Sequence, residues 1–139
     1  MLFGRRARTV KRILIVEDEP LVAFDNEHCL RDAGYEIVAT VDNVPAATAA
    51  LDDEIDLVLA DVNLSSGGNG RDVAAAARGK GVPIIFVTGA CPDDARSLAV
   101  GCLAKPYSQR DLLSAIDTVD AHLGGREPKR IPRGFTWFG

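Results

Sequence analysis

Short apolar runs recur along this chain, and the polar residue that closes each one is chemically distinctive. ILIV at 13–16 runs into Glu17, Asp18 and Glu19. IDLVLAD at 55–61 ends in a carboxylate, PIIFVTG at 83–89 ends in threonine and glycine, and GCLA at 101–104 runs into Lys105-Pro106. Continuous apolar runs of this length suit strands buried on both faces. Tyr35 to Thr40, with Ile37, Val38 and Ala39 at its centre, reads as one more strand.

Helical patterns fill the gaps. After Pro20, placed for a first turn, Leu21, Val22, Phe24, Cys29 and Leu30 recur at roughly helical spacing as far as Gly34. Val44 to Leu51 is alanine-rich behind Asp42 or Asn43 as cap. Further helices are expected at 72–78, from Asp93 to about Val100, and at 109–123, the last behind Ser108 with Leu112, Leu113, Ile116 and Val119 on one face. VNLSSGGNG at 62–70 reads as a loop.

Five strands alternating with five helices imply an α/β fold: a doubly wound five-stranded parallel sheet with helices on both faces. Right-handed crossovers put every strand's C-terminus on one edge, and ligand chemistry gathers there. That edge would receive Glu17 and Asp18 from the first strand, Asp61 from the third, Thr88 from the fourth and Lys105 from the fifth. Carboxylates crowded at the end of a buried strand repel one another and raise each other's pKa. A bound cation relieves that cost. Magnesium takes oxygen ligands through one or two carboxylates plus phosphate oxygens, and a carboxylate can itself act as a nucleophile.

Charge and cysteine content narrow the classes further. Residues 1–12 carry five basic side chains and no acid, and residues 124–139 carry four basic and one acidic; the segment between them holds 7 basic and 19 acidic residues. An acidic domain with short basic ends is not a simple nucleic-acid binder. Cys29, Cys91 and Cys102 show no CxxC spacing, against a disulfide scaffold or a structural zinc site. No run is long enough to cross a membrane or to serve as a secretory signal, so a cytoplasmic location is expected. His28 and His122 stand alone and point to no phosphotransfer role.

Taken together, IVEDEP, LVLADVNL, IIFVTG and LAKPY resemble the receiver domains of bacterial two-component response regulators, which are CheY-like and flavodoxin-like in fold. The resemblance spans residues 12 to about 123, between a basic extension at 1–11 and a basic, aromatic tail at 124–139. It implies a phosphoacceptor at Asp61. It implies a divalent cation, magnesium or manganese, held by Glu17, Asp18, Asp61 and the backbone carbonyl of Asn63. Thr88 and Lys105 would bind the phosphoryl group, with a cis Lys105–Pro106 bond.

Most receivers carry an aromatic switch residue three positions before the lysine. Here that position is Cys102, and the aromatic is Tyr107, so the switch region is expected to differ. Phe86, Thr88 and Gly89 partly match the "FAT GUY" subgroup of single-domain receivers. The implied partners are a sensor histidine kinase or histidine phosphotransfer protein and a downstream protein target, with no direct nucleic acid or membrane contact, for a monomer or weak dimer. The implied activity is signalling rather than metabolic, with weak self-catalysed phosphorylation and dephosphorylation. The alternatives are a phosphate sink or a phosphorylation-independent adaptor. A magnesium phosphatase ranks last, because Asn63 stands where a second acid would be needed.

Overall fold

The computed structural model describes residues 8–65 and 68–139. Most of the 1–11 extension therefore lies outside the described residues. The chain runs β1 (Arg12–Val16), α1 (Pro20–Asp32), β2 (Glu36–Val41), α2 (Val44–Ala50), β3 (Leu57–Asp61), α3 (Gly70–Gly79), β4 (Ile84–Thr88), a single 3-10 turn (Ala95–Ser97), β5 (Gly101–Ala104), α4 (Gln109–Leu123) and β6 (Phe135–Trp137). The strands form one sheet in the order β2-β1-β3-β4-β5-β6. The first five strands are parallel, and β6 joins β5 antiparallel.

Alternation along the strands divides the core into two layers. Ile13, Ile15, Leu57, Leu59, Ile85, Val87 and Leu103 pack with Leu30 of α1 and Leu112, Ile116 and Val119 of α4. Leu14, Val16, Val58, Ala60, Ile84, Phe86 and Cys102 pack with Ala47 of α2 and Val73, Ala74 and Ala77 of α3. The central strands are thus covered on both sides, which is why they read as unbroken apolar runs.

The helix starts are side-chain capped where the sequence offers a cap. Asn43 accepts from the Ala46 amide at 2.8 Å, and Ser108 accepts from the Asp111 amide at 3.0 Å. Asn69 accepts from the Arg71 amide at 2.8 Å while the Asp72 carboxylate accepts from the Asn69 amide at 3.0 Å, a reciprocal arrangement that starts α3 inside the glycine-rich loop.

Two expectations change. The helix expected from Asp93 to about Val100 is a 3-10 turn at Ala95–Ser97, so among the described residues four α-helices flank the sheet rather than five. The segment is short for the cost of nucleating a helix. In addition, Ser97 Oγ donates to the Asp94 carbonyl at 2.8 Å, a local bond that competes with helical pairing. The sheet also has six strands rather than five, because Phe135–Trp137 closes the edge of β5. Gly101 makes that pairing possible: a Cβ there would collide with the Phe135 ring. Phe135 is consequently buried, and Trp137 sits edge-on to His122 of α4 with ring centroids 5.3 Å apart.

Candidate functional site

The alternation that buries Ile13 and Ile15 continues to Glu17, and the one that buries Leu57 and Leu59 continues to Asp61. Glu17 extends the β1–β2 ladder by donating its amide to the Val41 carbonyl at 2.9 Å. Both carboxylates are almost wholly buried, at 4% and 5% exposure. Lys105 leaves the end of β5 toward them, and the Lys105–Pro106 peptide is cis, as expected. Its Nζ lies 2.9 Å from Asp61 Oδ2, 3.1 Å from Glu17 Oε1 and 3.0 Å from Glu19 Oε1.

One ammonium therefore sits among three carboxylates. Glu17, Glu19 and Asp61 each offer an oxygen within 4.8 Å of the others. Burial pushes the Glu17 carboxyl above its ordinary pKa and the neighbouring Asp61 charge adds to that, while bonds from the Glu19 amide and Lys105 pull the other way. For Lys105, burial acts against the charged form. Its bonds to Asp61, Glu19 and Glu17 outweigh that and hold its pKa above the ordinary lysine range.

Glu19 directly precedes α1. It occupies the cap position, yet its side chain makes no capping bond and reaches Lys105 instead. Three adjacent acids do not reveal which of them turns inward; the signal available was Pro20, which fixes Glu19 as the residue just before the helix.

Asp18 lies outside this three-carboxylate group. Its Oδ2 accepts from both the amide and the hydroxyl of Ser65, each at 2.6 Å, across the mouth of the β3–α3 loop. Those two bonds hold its carboxyl below the ordinary aspartate range. Ser65 was not singled out from sequence, where it reads as one residue of a polar loop.

The Asn63 amide donates to Asp61 Oδ1 at 2.9 Å, and Asn63 bridges to Asn69 across the neck of the loop. Gly70 seals the far side. A Cβ there would lie 2.5 Å from the Asp61 carbonyl oxygen and 2.8 Å from Val62 Cα. The start of α3 thus rests directly on the backbone that carries Asp61, a close approach that requires glycine.

Thr88 closes β4 and is buried. Its hydroxyl donates to the Ala90 carbonyl at 3.1 Å and accepts from the Ala90 amide at 3.2 Å, so it is engaged by its own turn. Tyr107 Oη donates to Asn26 Oδ1 at 2.9 Å. Burial raises the Tyr107 pKa, so the hydroxyl remains a donor. Cys102 is buried in β5 opposite Phe86.

Chemically, the site offers hard oxygen donors, two of them, Glu17 and Asp61, buried and mutually repelling, beside an ammonium. Such a donor set fits a small divalent cation of the magnesium type. Lys105 supplies part of the same compensation from within the chain. Among the described residues no helix is long and apolar enough to cross a membrane.

Comparison with known proteins agrees with this reading. A family model described as "Response regulator receiver domain" matches residues 13–117. The transcriptional regulatory protein PdtaR of Mycobacterium tuberculosis is 36% identical over 118 residues, covering 80% of this chain and 57% of its own length. The chain spans a little over half the length of the curated relatives it matches. A CheY-like receiver domain protein from Methanospirillum hungatei JF-1 superposes with a TM-score of 0.75 at 26% identity, covering 84% of this chain and 98% of its own. The receiver domain of the sensor histidine kinase PA1611 from Pseudomonas aeruginosa PAO1, whose structure has a magnesium ion coordinated in the active site cleft, gives 0.64 at 27% identity, covering 76% and 93%. These matches support no finer subgroup. With the matched segment carrying β1 through most of α4 and every residue of the carboxylate–lysine cluster, the chain belongs to the response regulator receiver domain family.

Proposed function

We propose that this chain is a phosphoacceptor of two-component signalling, with Asp61 as the residue modified. The observation that carries the reading is the position of Asp61: buried at the end of β3, one oxygen held by the Asn63 amide and the other by Lys105 Nζ. Its carboxylate is fixed in place, as a nucleophile that relies on alignment must be.

Asp61 Oδ attacks the phosphorus of a phosphohistidine on a histidine kinase or phosphotransfer protein. The P–N bond breaks as the P–O bond forms, and the donor imidazole takes up a proton as it leaves. A small phosphodonor such as acetyl phosphate serves the same step, with its P–O bond to the leaving acetate breaking instead. Lys105 moves its ammonium from Glu17 and Glu19 onto the phosphoryl oxygens. Thr88 turns its hydroxyl from Ala90 to the same group. Glu17, Asp18, Asp61 and the Asn63 backbone carbonyl would hold a magnesium or manganese ion, which would supply charge neutralisation for the transferring group. The chain then signals by altered binding to a protein target, through rearrangement around Thr88, Cys102 and Tyr107.

The test is labelling of the full chain with acetyl phosphate and magnesium. Wild type should gain one acid-stable, base-labile phosphoryl group, none when the metal is chelated before the donor is added, and Asp61→Asn should gain none. Labelling that persists in Asp61→Asn would refute the assignment.

A further inference from the structure

Of the three carboxylates around Lys105, one faces outward. The side chains of Glu17 and Asp61 are 2% and 6% exposed, whereas that of Glu19 is 60% exposed with its Oε1 3.0 Å from Lys105 Nζ. Glu19 makes no capping bond to α1, so the helix start does not account for where its side chain goes. With Val22, Asp25, Asn26, Lys105 and Tyr107 it lines a cleft of about 440 Å³. Asp25 brings a second exposed carboxylate to that cleft. The cleft borders the acceptor through Lys105, which touches both Glu19 and Asp61. Once Lys105 turns to the phosphoryl oxygens, Glu19 gives up its one ion pair among the described residues, and a negative charge is left at the entrance.

We infer, on the reading of Asp61 as phosphoacceptor, that Glu19 selects the donor by the charge of its leaving group, favouring phosphoryl groups carried on an imidazole nitrogen over acyl phosphates. The imidazole ring of a phosphohistidine must hold a proton to leave as a neutral group. Glu19 and Asp25 favour the ring in that protonated, positive form, and Val22 and Tyr107 give the cleft apolar and aromatic walls for it. As the P–N bond breaks and the bond from phosphorus to Asp61 Oδ forms, the bonding pair passes to the ring nitrogen and cancels the ring's charge. Attraction by Glu19 therefore acts mainly on donor binding. Acetyl phosphate offers no positive charge, and its P–O bond breaks to release acetate. Negative charge then grows on the leaving group beside a fixed carboxylate, which opposes both binding and the transition state.

The experiment labels the full chain with magnesium and either N-phosphorylimidazole or acetyl phosphate at matched ionic strength, and maps the modified residue by mass. In Glu19→Gln the rate with N-phosphorylimidazole should fall and the rate with acetyl phosphate should rise. Their ratio should drop about three- to ten-fold, the worth of one unit charge at close range in a largely aqueous cleft. For N-phosphorylimidazole the loss should appear in the half-saturating concentration rather than in the rate at saturation. Glu19→Asp, which keeps the charge, should retain the wild-type order of donors. High salt should shrink the ratio in wild type more than in Glu19→Gln. Both rates rising by one factor in Glu19→Gln would overturn the inference, because Glu19 would then do no more than tie up Lys105; an unchanged ratio would do the same. In either case Asp61 is still the residue modified, whereas labelling elsewhere in wild type overturns the acceptor assignment and the role of Glu19 with it.

Discussion

Lys105 Nζ lies 2.9 Å from Asp61 Oδ2, joining the end of β5 to the end of β3 across β4. The same ammonium contacts Glu17 and Glu19, so a single positive charge is shared by three acids that face one another. Lys105→Ala should destabilise the metal-free protein by about 3 kcal/mol, the scale for orphaning a buried charge. Millimolar magnesium should restore more stability to this variant than it adds to wild type, because the ion then has no ammonium to displace. Urea denaturation with and without magnesium measures both; equal magnesium effects in the two proteins would contradict the shared-centre picture.

Gly70 lies against the acceptor's own backbone. Gly70→Ala forces a methyl group onto the Asp61 carbonyl and Val62 Cα. Overpacking of this kind costs about 1–3 kcal/mol. Because the displaced atoms carry Asp61, labelling by acetyl phosphate should slow as well. A variant that is destabilised but labels at the wild-type rate would show that the contact is structural only.

The two Ser65 donors make Asp18 a stronger acid in the folded chain than in the unfolded one. A lowered folded-state pKa contributes stability that is present above the ordinary value near 3.8 and is lost as pH falls through the folded pKa. Ser65→Ala removes the hydroxyl bond and should move the Asp18 titration upward, toward that ordinary value. Carboxyl-detected NMR titration follows it directly; an unmoved Asp18 would mean that the hydroxyl plays no part.

The tail is a strand of the sheet through Phe135, whose ring lies over Gly101. Phe135→Ala should cost about 3 kcal/mol, at the lower end for truncating a buried aromatic. Exchange protection should fall at Ala104 and Phe138, whose amides bond to Gly134 and Val100 across this edge. Protection that survives at both amides would show that β6 holds without its anchor.

The strand ends were legible because a strand buried on both faces has no reason to finish in a carboxylate unless the sheet edge uses it. Glu17, Asp61 and Lys105 follow from that logic, and the structure brings them together. Glu19 did not, since its inward turn depends on where Lys105 arrives from the far side of the sheet. Ser65 is a loop residue whose significance lies in meeting Asp18, 47 positions away. The strand at Phe135–Trp137 is three residues long and carries no periodicity; it exists because β5 offers an open edge with a glycine at the point of contact. The expected helix after Asp93 had the composition of one but too few residues to outweigh Ser97 bonding back to Asp94.

The most direct measurement is a crystal structure of the full chain grown with magnesium and beryllofluoride, a stable mimic of the acyl phosphate. The account predicts beryllium bonded to an Asp61 oxygen, magnesium between Asp61 and Glu17, and Lys105 Nζ moved from Glu19 onto a fluorine. Beryllofluoride absent from Asp61 at saturating concentration, or magnesium bound away from Glu17 and Asp61, would contradict it.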